Sequence, residues 1–549
     1  MLRVCYGLFT MIRILLSLLI IGLAGKIEAA DHVLDMTYPL GPNTTYWPGT
    51  PKFHFSIDFR NFSATTGWYE GNSFCAATNG GTSLEAPSFL IQGGTTADNI
   101  PVHKLIGPAV KIDIASKAAT DPDVQLTVED IENWEIANGR VPDNSILFVY
   151  TGWGQYVDNR TAFFGHPSTT EWLDPQGRSL LHFPGISPAA TSWLASNRKL
   201  LGIGIDTPSL DYGQSVDKAA SVALYSKGIY GLTTVANLDK LPTKGATVLA
   251  FPVTIRGSSG GPVRIVALLR KTLEVKESDV IDMTYVYSVD TTYWPGAGSF
   301  NITSVVKGPS GNITWLDKGY FCTPEHGGSH FDFPAHMFRG GYRSHDVSVE
   351  KVIGPAVKVD IQGKANQDRD ALLSVDDLEK WETVNGKIPD NAIVFVQTGW
   401  GRYYGNRTAY LGSSDTQVWT DSAGKSQLHF PGISEEAANW LKDNRKISGV
   451  GIDTASLDRG QTVNFESHVA FFSVNIYGVE NVGYLDKLPT TGTTAYILPM
   501  YLFDGSGGPA RIVAIKEKEG KDTSGVSVTS SSSFVLIITI SLHCLADFF

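Results

Sequence analysis

The amino-acid sequence predicts an α/β protein that consists of two tandem copies of one domain. Three observations predict this: motifs recur at one constant spacing, strand-like and helix-like segments alternate within each copy, and glycine is abundant, at 56 of 549 residues. Abundant glycine is typical of sheet proteins with many tight turns. At roughly 100 to 200 residues per domain, the length also indicates two or more domains.

The repeat is a duplication of a whole domain. Trp47 and Trp294 lie in the same Tyr-Trp-Pro-Gly motif and are 247 residues apart. The same spacing relates Ile106–Val110 to Ile353–Val357, Thr151–Gly154 to Thr398–Gly401, Leu181–Gly185 to Leu428–Gly432, Gly204–Thr207 to Gly451–Thr454, and Gly260–Pro262 to Gly507–Pro509. A period this long indicates a domain duplication and not a solenoid. We expect one domain over residues 30–270 and another over residues 279–518, joined by a linker near residues 271–278.

Local patterns in the second copy predict both strands and helices. The predicted buried strands are Val352–Ile361, Ile393–Val396 and Ile447–Ile452. One helix is predicted to begin after Ser374, with Leu378 and Trp381 on one face, and to end at Gly386. A second helix is predicted to begin after Ser434.

The composition excludes several classes of protein. Hydrophobic residues make up 42% and charged residues 18% of the chain, which excludes an intrinsically disordered chain and a polytopic membrane protein. The net charge is −11, and no basic run is available to neutralise phosphates. We therefore expect no nucleic-acid partner.

Residues 1–29 have the pattern of a secretory signal peptide. Arg3 and Arg13 precede the apolar run Ile14–Ala24, and Ala29 ends the segment with a small residue suited to cleavage. The alternative is a membrane anchor, for which the apolar run is short.

Residues 519–549 have the pattern of a glycolipid (GPI) anchor signal. Small residues at 522–524 are followed by a serine-rich spacer and by the apolar tail Phe534–Phe549. The alternative is an ordinary transmembrane helix, but the tail contains Asp547 and no Lys or Arg follows it. We expect a protein of the extracellular space or cell surface that meets the membrane only through this segment.

Six Asn-x-Ser/Thr sequons are compatible with the secretory route. They lie at Asn43, Asn61, Asn159, Asn301, Asn312 and Asn406. Cys5 and Cys544 fall in the segments predicted to be removed, which leaves Cys75 and Cys322. Two cysteines do not make a disulfide scaffold, and whether they pair is open at this point.

The second copy contains a dense group of metal-ligating residue types. His326, His330, Asp332 and His336 lie within eleven residues, and their nitrogen and oxygen donors suit zinc or a similar divalent ion. Glycine and proline within the segment disfavour a helix, so we expect an extended chain that projects all four side chains to one side. Further on, the local pattern around His468 and Glu480 indicates no more than ordinary core residues.

The first copy provides an internal control for these residues. Opposite His326, His330, Asp332, His336, His468 and Glu480 it has Asn79, Ser83, Glu85, Phe89, Ser221 and Thr233. The fold therefore does not require these histidines, and we interpret them as residues that a function requires. By contrast, His182 and His429 occur in both copies and are interpreted as scaffold residues, and His345 as a surface residue.

The string His326-x3-His330-x-Asp332-x3-His336, with Tyr-Trp-Pro-Gly before it and His468 twelve positions before Glu480, resembles the metal-dependent kynurenine formamidase family. This family includes isatin hydrolases and carries the label "cyclase". The resemblance covers nearly all of both copies and is degenerate in the first.

The resemblance implies a swivelling β/β/α fold in each copy and a site that often holds two zinc ions, or manganese in some members. It implies that His326, His330 and Asp332 bind the first ion and that Asp332 bridges the two ions. His468 and Glu480 would complete the site for the pair of ions. It further implies that His336 is the general acid/base and that Trp294 lines the substrate pocket. Because family members generally pair as homodimers, the two fused copies are expected to form a pseudo-dimer within one chain.

The expected function is hydrolysis of a small amide, cyclic or N-formyl aromatic, as by kynurenine formamidase in the conversion of tryptophan to kynurenine. Two alternatives stay open at this point: an isatin or cyclic-imide hydrolase, and a non-catalytic extracellular module that binds a metal or ligand.

Overall fold

A computed structural model describes residues 33–63, 67–271, 273 and 275–516. The predicted signal peptide and the predicted anchor segment both lie outside these residues. Among the residues described, no helix combines the length and apolarity that crossing a membrane demands.

The first half contains twelve strands and five α-helices within the described residues. The strands are Val33–Asp35 (β1), His54–Ser63 (β2), Gly67–Ala77 (β3), Ser83–Glu85 (β4), Ile106–Asp113 (β5), Gln125–Leu126 (β6), Ser145–Tyr150 (β7), Gly185–Ile186 (β8), Leu200–Ile205 (β9), Tyr230–Thr233 (β10), Lys244–Pro252 (β11) and Gly260–Leu268 (β12). The helices are Ala115–Ala118 (α1), Val128–Asn138 (α2), Arg160–Phe164 (α3), Pro188–Asn197 (α4) and Ala219–Tyr225 (α5).

The described part of the second half repeats this order. Its strands are Val280–Asp282 (β13), Asn301–Ser310 (β14), Ile313–Pro324 (β15), His330–Asp332 (β16), Ile353–Asp360 (β17), Leu372–Leu373 (β18), Ile393–Gln397 (β19), Gly432–Ile433 (β20), Gly449–Ile452 (β21), Tyr477–Glu480 (β22), Thr493–Pro499 (β23) and Gly507–Ile515 (β24). Its helices are Gln362–Ala365 (α6), Val375–Asn385 (α7), Arg407–Leu411 (α8), Glu435–Asn444 (α9) and Glu466–Phe472 (α10).

Each half forms a seven-stranded sheet that closes on itself. In the first half the order is β12-β11-β5-β7-β9-β10-β4, and β4 pairs back to β12, while β1 adds to the outer edge of β12. The second half has the equivalent order β24-β23-β17-β19-β21-β22-β16, closed between β16 and β24. The central strands β5, β7, β9 and β10 run parallel, and residues Ile146–Val149 of β7 are all apolar and buried, as expected for a parallel strand covered on both faces.

A third sheet joins the two halves. Its order is β14-β15-β3-β2, so β15 of the second half pairs antiparallel with β3 of the first. Cys322 lies opposite Cys75, and the two form a disulfide between positions 247 residues apart. Because equivalent residues face each other here, a pseudo-two-fold axis passes through this pair. One apolar core also spans both halves and includes the equivalent Val266 and Val513.

The local helix and strand predictions are confirmed with small shifts at the ends. Helix α7 follows Ser374, whose backbone N–H and hydroxyl both donate to Asp377, and it ends at Gly386, where φ is +85°. Helix α9 follows Ser434, whose hydroxyl oxygen accepts the N–H of Ala437 at 3.1 Å. The α/β class and the pseudo-dimer of two tandem copies are likewise confirmed.

Candidate active site and metal centre

Strand β16 places two of the candidate ligands side by side. His330 and Asp332 are separated by one residue, so both side chains point to the same face of the barrel. The antiparallel pairing of β16 with β22 puts Glu480 directly opposite His330 and Gly478 opposite Asp332. A Cβ at Gly478 would lie in ordinary contact with Asp332, 3.4 Å away, and closer to Leu457, at 3.1 Å.

The prediction of one extended segment over residues 326–336 is wrong. Gly328 has φ +59°, a left-handed conformation that ends the extended chain before β16, and residues Pro334–His336 form one turn of 3₁₀ helix after it. The two turns nevertheless bring the imidazoles of His326 and His336 together, with ring centroids 3.7 Å apart. A Cβ at Gly507 would lie 2.3 Å from the His326 ring, so glycine is required there.

Hydrogen bonds hold two imidazoles with Nε2 directed at the carboxylates. His330 Nδ1 donates to the carbonyl of Gly328 at 3.0 Å, and His330 Nε2 lies 3.2 Å from Asp332 Oδ1 and 3.4 Å from Glu480 Oε2. His468, on α10, donates from Nδ1 to Asp458 Oδ2 at 2.6 Å, and its Nε2 lies 3.0 Å from Glu480 Oε1. In metal-ligating histidines, a hydrogen bond donated by the ring nitrogen that does not face the metal fixes the tautomer and the orientation of the ring.

The donor set fits a divalent cation. Two groups of potential ligand atoms lie within 4.8 Å of one another: His326, Asp332 and His336, and also His330, Asp332 and Glu480. Asp332 belongs to both, and its Oδ2 is buried without a hydrogen-bond partner among the described residues. A buried carboxylate oxygen without a donor is costly unless a cation is bound. Histidine nitrogens with carboxylate oxygens suit zinc, and also manganese.

The pKa values of His330 and His336 shift in opposite directions within the cluster. Burial lowers the pKa of His330, but Asp332, the Glu480 charge and the hydrogen bond to Gly328 together outweigh burial and raise this pKa to about 9. Burial and the neighbouring His326 hold the pKa of His336 well below its usual value. Burial and the Asp332 charge raise the pKa of Glu480. His336 is therefore a neutral imidazole that can accept a proton, beside groups that attract positive charge.

The first half contributes to this site, which sequence reasoning did not anticipate. In β3, Trp68 donates from Nε1 to the carbonyl of Ala335 at 3.0 Å, and the Tyr69 ring lies 5.1 Å from the His336 ring. The carbonyl of Glu70 accepts a hydrogen bond from His336 Nδ1 at 2.5 Å, which leaves Nε2 with the lone pair. No local pattern could reveal these contacts, because they depend on β3 pairing with the other half. Asp458 was also missed, although it has an equivalent in Asp211.

The cluster opens into a cavity of about 820 Å³ that both halves line. Trp294 forms part of its wall and packs against Trp419 and Phe465 with ring centroids 5.6 and 5.9 Å away. Phe59 and Tyr69 of the first half form another part. A cavity of this size and aromatic character suits a small ring-bearing molecule.

The remaining histidines agree with their interpretation. His182 and His429 each bind an aspartate, Asp123 and Asp370, with Nδ1 to Oδ2 distances of 2.7 Å in both halves. Equal contacts at equivalent positions indicate a scaffold role. His345 is exposed and stacks on Phe503.

Comparisons with known proteins match this architecture. The family model described as "Putative cyclase" matches residues 34–212 and again residues 281–459. An isatin hydrolase from Roseibium aggregatum is 30% identical over 266 residues, which cover 46% of this chain and 97% of that protein. A kynurenine formamidase from Salinibacter ruber is 27% identical over 234 residues, 43% of this chain and 96% of that protein. A solved isatin hydrolase A from Ralstonia solanacearum is 29% identical, covers 43% of this chain and 92% of that chain, and superimposes with a TM-score of 0.38.

Proposed function

The chain belongs to the cyclase family, matched once in each half, and from this premise we propose that its second half is a metal-dependent amidohydrolase of small aromatic amides. One observation carries the proposal. His336, whose Nδ1 donates to the Glu70 carbonyl, belongs to a cluster of potential cation donors that lines an aromatic cavity, and we assign it the role of the base.

The residues that would hold the cation are His326, His330, Asp332, His468 and Glu480. The proposed ion is zinc, one or two per chain, with manganese as the alternative. When bound, such an ion lowers the pKa of a water molecule and polarises the amide carbonyl.

The protein's own groups would move the proton and hold the substrate. His336 Nε2 takes a proton from the attacking water, whose oxygen bonds to the carbonyl carbon. As the C–N bond breaks, the same imidazole returns the proton to the leaving nitrogen, so the products are a carboxylic acid and an amine. The Glu70 carbonyl keeps Nδ1 protonated throughout. Trp294 and its aromatic neighbours would bind the ring of the substrate.

The proposed substrates are an N-formyl aromatic amine such as N-formyl-kynurenine, on the route from tryptophan to kynurenine, or a cyclic amide such as isatin. The names of the two curated relatives support these two classes equally. The aromatic wall formed by Trp294, Trp419 and Phe465 supports a substrate that carries an aromatic ring.

The test uses the region from residue 31 to 521, purified with both halves and its disulfide intact. Metal content is measured by mass spectrometry, and hydrolysis of N-formyl-kynurenine and of isatin is followed by absorbance. We expect bound zinc or manganese, and turnover that chelation abolishes. His336→Ala should keep the metal and lose about 10²- to 10⁴-fold in kcat, the range for a general acid/base. His345→Gln is the matched control and should behave as wild type.

A non-catalytic binding module is the second candidate, favoured by the absence of the histidines from the first half. Bound metal without turnover of either substrate class would establish that candidate and reject the hydrolase. A metal-free protein would reject the hydrolase and a metal-binding module.

We also propose that the protein follows the secretory route and is held at the cell surface by a GPI anchor. Its two halves form the pseudo-dimer within one chain, and we propose no nucleic-acid partner. All six sequon asparagines are exposed, and a disulfide joins the halves, which supports an oxidising compartment. Peptide N-glycosidase should lower the apparent mass, and a phosphatidylinositol-specific phospholipase should release the protein from cells. Retention on the cell after that treatment would contradict the anchor.

A further inference from the structure

The first half has its own cavity at the position equivalent to the active site. Its volume is about 170 Å³, and its lining includes Trp47, the counterpart of Trp294, together with Asn79 and Glu85. Asn79 and Glu85 stand where the second half has His326 and Asp332. The cavity has therefore survived the loss of the metal ligands, with a different chemistry in its wall.

Two lysines converge on this cavity from different halves of the chain. Lys218 precedes α5, is 8% exposed, and holds its Nζ 4.1 Å from the centroid of the Trp47 ring. Lys318, on β15 of the second half, holds its Nζ 5.8 Å from the same ring. Their counterparts in the other cavity are Phe465 and Gly71. The lysines are thus present only in the cavity that has no metal ligands.

The positive charge of these lysines is only partly balanced. No carboxylate of the described residues lies within 4.0 Å of either ammonium group. Glu85 is the one acidic residue in the lining of this cavity, and its Oε2 accepts the hydroxyl of Tyr225 at 2.6 Å. Asp211 lies behind Ser221, whose backbone N–H and hydroxyl both donate to it. Asp211 and Asp217 also attract the Lys218 ammonium group, whereas Glu85 is the carboxylate that acts on Lys318, so the charge of Lys318 is the less fully balanced of the two.

A donor without a partner completes the polar wall. Asn79 is 8% exposed, and its Nδ2 has no hydrogen-bond partner among the described residues, while its Oδ1 accepts the hydroxyl of Thr78 at 2.8 Å. A buried N–H group without an acceptor is costly, and an anion would satisfy it. The opposite wall is apolar and includes Phe89 and Leu316.

We propose that this cavity binds one small aromatic carboxylate, with its carboxylate between Lys218 and Lys318 and its ring against Trp47. The volume is close to the roughly 150 Å³ of an engineered cavity that holds one benzene ring, so one ring is accommodated. The loss of metal ligands and the gain of lysines have together turned a hydrolytic site into an anion site.

The titration of Lys318 supports this assignment. Burial lowers the pKa of its ammonium group to about 8, although the Glu85 charge opposes the shift. A carboxylate ligand would raise this pKa again, so binding should take up protons near pH 8.

The experiment is a calorimetric titration of the full-length, metal-loaded protein with benzoate at pH 8, repeated in buffers of different ionisation enthalpy. We expect binding with proton uptake. Benzamide, a neutral molecule of the same shape, should bind at least tenfold more weakly. Lys318→Met and Lys218→Met should each weaken benzoate binding by tenfold or more. Lys307→Met is the matched control, because Lys307 is exposed and paired with Asp317 at 3.0 Å, and it should bind as wild type.

The outcomes separate this cavity from the active site. Benzoate that also binds at the metal centre adds a component that both lysine variants retain, so only the component lost in these variants belongs to the first half. Methionine fills a similar volume without the buried charge, so both variants should fold, which circular dichroism checks. Absence of benzoate binding, equal binding of benzamide, or full binding in both lysine variants would overturn the proposal.

Discussion

Replacing Asp458 with alanine tests whether His468 is a metal ligand. Asp458 Oδ2 accepts the Nδ1–H of His468 at 2.6 Å, and this bond helps to direct Nε2 toward Glu480, 3.0 Å away. Without it the imidazole can rotate or exchange its tautomer. Loss of such a partner costs about 10- to 100-fold in metal affinity, or about 1.4 to 2.7 kcal/mol. Competition with a chromogenic chelator, on zinc-loaded protein, measures this change directly.

The first half supplies a matched control for this variant. Asp211 is the equivalent of Asp458, and each carboxylate accepts two backbone N–H groups at the start of a helix, from Ala220 and Ser221 in one half and from Ser467 and His468 in the other. Both alanine variants should therefore lose a similar free energy of unfolding, of about 1 kcal/mol. Only the Asp458 variant should lose metal affinity. Wild-type affinity in that variant, or equal loss in both, would refute the reasoning.

Three further predictions follow from the contacts between the halves. Trp68→Phe removes the hydrogen bond that holds the turn of His336, so kcat should fall while metal content stays unchanged; a fall in both would place the tryptophan in a purely structural role. Lys318→Met should raise the free energy of unfolding at pH 7 by up to about 3 kcal/mol, because the pKa of this lysine is lowered from 10.5 to about 8 in the folded protein. The lysine therefore destabilises the fold fully below pH 8, and this destabilisation disappears as the pH rises toward 10.5. Urea unfolding at pH 7 and pH 10 should show this gain shrinking, and a constant gain would refute it. The double variant Cys75→Ser/Cys322→Ser should lose about 2 to 5 kcal/mol in the same unfolding assay, because it opens a long covalent loop, and an unchanged midpoint would contradict this.

The sequence predicted what is encoded locally or repeated. The cap at Ser374 and the stop at Gly386 define α7 within eleven residues, so its bounds could be read directly. The constant spacing of 247 residues predicted two domains and also identified the equivalent cysteines. The extended segment was predicted wrongly because the left-handed Gly328 and the turn at Pro334 interrupt it. The alternation of side chains along an extended chain, on which the prediction rested, reveals neither interruption.

The contributions of one half to the other could not be predicted, for a physical reason. Register between β3 and β15 is set by packing across an interface, so neither strand's own pattern of residues reveals its partner. The same holds for Glu480, which faces His330 only because β16 pairs with β22. Its proposed role came from the family resemblance and not from its local context.

The pairing of β3 with β15 also explains why the chain can retain both halves although the first half lacks the metal ligands. In a symmetric pair each cavity is lined in part by a strand of the other half. Strand β3 contributes Trp68 and the Glu70 carbonyl to the second cavity, and β15 contributes Lys318 to the first. Substitutions at the first half's own ligand positions leave β3 intact and so do not disturb His336. Substitutions in β3 would disturb it. The two cavities are therefore free to diverge in chemistry as long as the shared sheet persists. Lys318 belongs to the second half and lines the cavity of the first.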